Sequence, residues 1–339
     1  MNIFKKIIFF VVISIYTVIP VFSETEISFM QTSVLKFSGE MNKASLFNSS
    51  IGLNWSDAYI GKITSDPAHF GVGISAGFTT IDFNTILNIM YAFDMELPLA
   101  DKIDFFDDTG YFIPNYTLDV RIGGFGIPFD IGVKFGFLPH KFVGMFSPND
   151  DDATMQNMLI GGDIRFALLN RKSCRLKIST GLGFNFMTGE ISVVLPDFKL
   201  VHTKSDGTKN NLLNLTTPKV DVLWRTMNIE LKAQASVPCK FITPYLGFKG
   251  GFSWSQSGYR VTSALTDGEV AELSKYDFTR VSKTGFETII DEKDIWERFN
   301  AQAFGGFSIN LFYVRLDFTG MYEILGKNFG GTFGIRFQL

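Results

Sequence analysis

The stretch Thr332-Phe333-Gly334-Ile335-Arg336-Phe337-Gln338-Leu339 decides the fold. Side chains of an extended strand alternate with a period of two. Phe333, Ile335, Phe337 and Leu339 therefore share one face, and Thr332, Gly334, Arg336 and Gln338 share the other. A soluble domain rarely finishes on its most apolar strand. A strand that closes a sheet upon itself has no such restriction, because closure leaves no free edge.

The same alternation recurs upstream. Phe70, Val72, Ile74, Ala76 and Phe78 alternate with Gly71, Gly73, Ser75 and Gly77. Phe129, Ile131, Val133, Phe135 and Phe137 alternate with Asp130, Gly132, Lys134 and Gly136. Comparable segments surround Tyr116–Gly123, Ile160–Leu168, Leu176–Phe186, Met227–Val237, Ile242–Ser255, Arg298–Ile309 and Phe312–Ile324. With the terminal stretch these predict ten strands. Two weaker candidates, near 26–37 and 46–63, raise the expected number to twelve. Trp55 and Tyr59 read as interface anchors in the second of these, although alternation slips at Asp57. Ten strands preceded by a periplasmic or lumen-filling N-terminal segment is the alternative.

Connections alternate between short and long. Short turns are expected at Thr64–His69, Gly124–Pro128, Asn170–Ser173, Val237–Lys240 and Asn310–Phe312. Longer loops are expected at 38–45, 82–115, 138–153, 190–217 and 259–295, with a brief one at 325–328. Residues 84–95 suit a short amphipathic helix in one long loop. Asp206-Gly207 and Asp267-Gly268 read as hairpin turns, so strands should continue beyond the sheet as an external ridge.

The N-terminus predicts export. Lys5 and Lys6 precede an apolar run from Ile7 to Ile19, and Val21-Phe22-Ser23 suits cleavage before Glu24. Residues 1–23 are thus expected to be a signal peptide and 24–339 the mature domain. The run is too short for a spanning helix, and nothing later approaches that length. The 37 Phe and 32 Gly suit a lipid-facing sheet, where Phe meets lipid and Gly permits curvature.

The ending polar–x–Gly–x–x–aromatic–x–hydrophobic, carried by Thr332, Gly334, Phe337 and Leu339, resembles the C-terminal assembly signal of bacterial outer-membrane β-barrels. The departure is Leu339, where Phe or Trp is usual. The run Ile122-Gly-Gly-Phe-Gly-Ile-Pro-Phe-Asp-Ile-Gly-Val-Lys134 and the Gly330–Leu339 ending are similar to spirochaetal outer-membrane barrels of unassigned function. The resemblance implies an all-β, antiparallel transmembrane barrel in the bacterial outer membrane. It also implies membrane lipid and the barrel-assembly machinery as partners, and a monomer is expected. Long loops would be external and short turns periplasmic.

Register follows from charge. The polar faces carry Arg121, Lys134, Arg165, Lys177, Lys232, Lys249, Arg298, Arg315 and Arg336. A one-residue slip turns every one toward lipid, at roughly 2–4 kcal/mol each near the midplane. The same face carries Asp119, Asp163, Glu230, Asp317 and Glu323, so these residues are the candidate lumen lining. They fit either an ion-lined aqueous pore or a salt-bridged plug in a narrow barrel.

Three functions follow in order. The first is passage of a small solute through a charged lumen. The second is a structural or adhesive surface barrel with a closed lumen and an external ligand. The third is hydrophobic-ligand uptake, because Ser65-Asp66-Pro67-Ala68 resembles a segment of long-chain fatty-acid transporters. Those transporters have more strands and a larger N-terminal hatch. No enzyme is expected: His69, His140 and His202 are the only histidines, and none has a positioned nucleophile in sequence. No cofactor or metal site is expected, since Asn149–Asp152 lacks the ligand spacing of a Ca²⁺ loop. The net charge of −3 argues against nucleic acid. Cys174 and Cys239 should be free thiols near the periplasmic rim.

Overall fold

Alternating side chains with one apolar face produce a closed wall of ten antiparallel strands in the computed structural model. It describes residues 21–22, most of 32–64, and 68–81, 111–138, 153–170, 175–194, 197–203, 209–276, 278–291 and 299–339. The wall strands are β1 (Phe70–Ile81), β2 (Tyr111–Gly123), β3 (Phe129–Leu138), β4 (Ala153–Leu169) and β5 (Lys177–Val194). They continue as β6 (Lys219–Ser236), β7 (Ile242–Thr262), β8 (Phe299–Leu311), β9 (Val314–Glu323) and β10 (Phe329–Gln338). Each pairs with the next in sequence. Closure comes from β10 against β1, running from Gly330 opposite Thr79 to Gln338 opposite Gly71.

Burial along the strands is inverted relative to a soluble sheet. In β3 the exposed positions are Ile131, Val133, Phe135 and Phe137, while Asp130, Gly132, Lys134 and Gly136 are buried. In β10 Phe333, Ile335 and Phe337 are exposed and Arg336 is buried. An apolar exterior around a polar interior is the arrangement strands adopt in lipid, where closure pairs every backbone group. Among the described residues no helix is long and apolar enough to cross a membrane.

The strand number corrects the first expectation of twelve and matches the ten-strand alternative. The described residues of 32–48 are helical, and 51–62 form no strand. Residues 47–60 lie inside the wall, so their polar groups face polar lumen side chains rather than a neighbouring strand. The slip at Asp57 marked that difference. Trp55 is accordingly a lumen residue and not an interface anchor.

Short turns gather at one end and long connections at the other. β5, β6 and β7 have 18, 18 and 21 residues, well beyond the roughly 9–11 that cross a bilayer. Their surplus projects from the long-loop end. There β7 pairs with the strand Gly285–Asp291, which forms a hairpin with Arg280–Ser282. A second hairpin joins Phe198–Thr203 to Lys209–Leu215, and Val21–Phe22 lies parallel to its first strand. Asp267-Gly268 opens a short helix, Asp267–Leu273, instead of the expected hairpin turn. Thr266 caps it, and Glu269 closes a reciprocal capping box, which makes the helix start the stronger local signal. Residues 65–67, 84–95 and 206–207, together with His140, Asn149–Asp152, Cys174 and Arg298, lie outside the described residues.

Candidate functional site

Residues 47–60 occupy the lumen, and almost all of them are buried. This stretch is rich in small and polar residues: Asn48, Ser49, Ser50, Gly52, Asn54, Ser56 and Asp57. Backbone without a ladder must find other hydrogen-bond partners once buried. The lumen lysines supply them. Lys134 Nζ donates to the carbonyls of Ser49 and Ile51, each at 2.7 Å. Lys249 Nζ donates to Ser50 O at 3.0 Å, and Lys232 Nζ to Leu53 O at 3.0 Å. Gln234 Nε2 donates to Trp55 O at 2.6 Å and to Ser56 O at 3.0 Å. Arg165 Nη1 donates to Asp57 O at 2.8 Å. Each wall cation neutralises the dipole of a carbonyl that no strand partner reaches.

Two glycines make the fit. Gly52 has a φ of +82°, a left-handed conformation that glycine adopts without a Cβ penalty. A Cβ there would lie 2.9 Å from Thr117 Oγ1 and 3.1 Å from Lys134 Cδ. Gly71 on β1 receives the indole of Trp55, since a Cβ there would lie 2.4 Å from its Cη2. Trp55 Nε1 donates to Asp119 Oδ1 at 2.7 Å. The guanidinium groups of Arg336 and Arg121 lie 4.6 and 5.4 Å from its ring centre, within cation–π range.

Ion pairs complete the interior. Asp130 accepts from Arg121 Nη1 at 2.5 Å and from Arg165 Nη2 at 2.6 Å, with His69 Nε2 3.1 Å away. Arg121 Nη2 also donates to Asp163 at 2.6 Å. Arg336 Nε lies 3.2 Å from Asp317 Oδ2, and Lys249 Nζ 3.7 Å from Glu230 Oε1. Arg315 pairs with Asp57, which also accepts from Gln338 at 3.3 Å. Lys177 Nζ stands 5.9 Å from the Tyr59 ring centre at the short-turn end. Glu323 accepts from the backbone N–H of Leu325 at 3.2 Å, at the opposite end. Apart from Arg298, the structure places all the candidate lining residues on the inward face, and it brings most of them onto the internal segment or one another.

A cavity lined by Asn54, Gly73, Ser75, Asp317, Thr332 and Arg336 has a volume of about 10 Å³, room for about one water. A second, by Glu230, Lys249 and Asn300, has about the same. Among the described residues, Arg336 Nη1, Asp317 Oδ1 and Asn54 Oδ1 have no hydrogen-bond partner and are buried beside the first gap. A lumen-filling N-terminal segment was the alternative expectation, but residue-type reasoning named none of its residues as site. Its signal was a run of small polar residues breaking the alternation. Among the described residues no cluster of His, Cys, Asp or Glu could hold a metal ion, and Cys239 is a free, exposed thiol.

No protein-family model matches the chain, and no curated relative matches it. Similar solved structures include the outer-membrane protease OmpT from Escherichia coli, at 9% identity and TM-score 0.44, covering 80% of this chain and 97% of that one. The translocator domain of the autotransporter NalP from Neisseria meningitidis is similar at 10% identity and TM-score 0.33, covering 91% and 97%. A major outer-membrane protein from Thermus thermophilus is similar at 10% identity and TM-score 0.35, covering 80% and 99%. Likeness of this degree assigns no activity; strand order and register carry the fold.

Proposed function

We propose that this chain is a bacterial outer-membrane barrel, closed by its own N-terminal segment, whose role is carried by the β-ridge it holds outside the cell. Its action is structural or ligand-binding at the surface, without catalysis. The observation that carries this reading is the set of lysine-to-carbonyl bonds from Lys134, Lys232 and Lys249 to residues 49–53. Charge-assisted bonds are about twice as strong as neutral ones. Breaking them all to open a pore would leave buried charges and carbonyls unpaired. The ordered apolar cluster in the ridge supports the external half of the proposal. Leu213, Leu215, Val220, Tyr259, Val261 and Phe286 are all buried in it, so the ridge is packed rather than a loose loop. Export through a cleaved signal peptide, assembly through the C-terminal strand, and a monomeric state belong to the same proposal.

The test is conductance of refolded protein in a planar bilayer. The full mature chain should be silent, and a variant lacking residues 24–57 should open the membrane stably. Stable openings of the full chain, altered in ion preference by Arg315→Glu, would overturn the closed-barrel reading. They would favour solute passage, for which the gap beside the unpartnered Arg336 Nη1 is the supporting observation.

A further inference from the structure

The internal segment has a direction. Leu35 packs against the external cluster of Leu213, Val220, Tyr259 and Val261. Phe37 and Ala44 belong to a buried cluster with Ile81, Ile113 and Trp224, toward the long-loop ends of their strands. Asn48 Nδ2 donates to Thr79 Oγ1 at 3.0 Å, one step lower on β1. Residues 49–53 bond the mid-lumen lysines. Asp57 reaches Gln338, the last residue of β10. Ile60 O accepts from Asn170, in the short turn after β4, at 2.7 Å. Ile63 N then donates to Gly124 O at 3.1 Å, in the short turn after β2. The chain thus descends the whole lumen before it enters β1 at the short-turn end.

We infer that the protein threads its own chain through its barrel and presents the helical residues around Lys36 at the outer face of the cell. The barrel then has a second activity besides holding its ridge: it carries a segment of itself across the membrane. Below Lys36 the segment fills the lumen with Phe37, Ala44, Phe47 and Ile51, all buried. Lys36 and Lys43 are exposed at the upper end, and Lys62 is exposed at the lower end. The inference rests on the assignment of the long-loop end as external.

Single cysteines with a membrane-impermeant maleimide on intact cells test it, in a background with Cys174→Ser and Cys239→Ser. Lys36→Cys should label at least tenfold more than Lys62→Cys, which should react only after the outer membrane is permeabilised. Lys275→Cys, on the external ridge, reports the orientation separately. If Lys275→Cys labels on intact cells and Lys36→Cys does not, threading is overturned and the ridge reading stands. If Lys275→Cys itself needs permeabilisation, the orientation fails and both readings fall. Only the folded fraction, identified by heat-dependent gel mobility, is scored. An epitope inserted after Glu24 gives a second measurement that leaves the lumen untouched. Antibody should bind it on intact cells, and binding only after permeabilisation would overturn the inference.

Discussion

Two sides of the lumen hold the same segment by different means. On the side of β3, β6 and β7, lysines bond its backbone carbonyls. On the side of β9, β10, β1 and β2, contacts go to its side chains: Arg315 to Asp57, Arg336 to Ser56, and Asp119 to Trp55. Each side retains a small gap, beside Lys249 on the first and beside Arg336 on the second. The lysines bond the chain whatever its side chains, although Asn228 on β6 also donates to Ser49 Oγ at 2.9 Å. The arginine side recognises which residues are there. Closure and register of the segment therefore have separate origins.

The largest effect should come from removing the lysine side. Lys134→Met, Lys232→Met and Lys249→Met together abolish the bonds that hold residues 49–53. At about 1.5–3 kcal/mol for a hydrogen bond to a charged group, the combined loss of the four bonds is roughly 6–12 kcal/mol. The segment should become protease-sensitive in an otherwise folded barrel, and conductance should appear. A triple variant as silent and protease-resistant as the wild type would show that the arginine side suffices.

Asp57→Ala tests the other side. It strips a buried partner from Arg315 and Gln338, and breaking such a pair costs about 3–5 kcal/mol, less here because Arg315 is partly exposed. The temperature of the heat-dependent mobility shift should fall while bilayers stay silent. Conductance in Asp57→Ala would erase the distinction between the two sides. Both sides presuppose the register, which Phe318→Arg challenges at about 2–4 kcal/mol near the midplane. Refolding into lipid should fail for Phe318→Arg and proceed for Thr319→Arg, whose side chain points into the lumen beside the gap. Equal refolding yields would undo the face assignment. Gly71→Ala should cost about 1–3 kcal/mol, because the added methyl meets both the Trp55 ring and, at 2.8 Å, the Phe337 carbonyl across the seam. Indole fluorescence should report displacement of the ring without loss of the barrel.

The wall was legible in the sequence because lipid outside and charge inside leave one register for each strand. Arg336 faces inward as the alternation at 332–339 requires. The contents of the lumen were not legible in the same way. A lysine that bonds a carbonyl leaves no complementary residue in the sequence, so nothing near Ser49 or Leu53 answers Lys134 or Lys232. The acid Asp57 does answer Arg315, but 258 positions separate them. The preference for twelve strands over ten erred for a related reason. A buried irregular segment and a weak strand share composition, and only the partners of the backbone distinguish them. At Asp267-Gly268 a capping box across Thr266 and Glu269 outweighed a two-residue turn pattern.

The seam between β10 and β1 fixes an order of events during biogenesis. Ten strands surround the internal segment in one continuous ladder, sealed from Gly330–Thr79 to Gln338–Gly71. A chain enclosed on all sides cannot enter sideways once that ladder has formed. It must be in place before the last strand pairs with the first, or be drawn in lengthwise against its own lysine contacts. Escape meets the same obstacle in reverse. The persistence of the closed state is therefore set by how fast the seam opens, a rate and not an equilibrium.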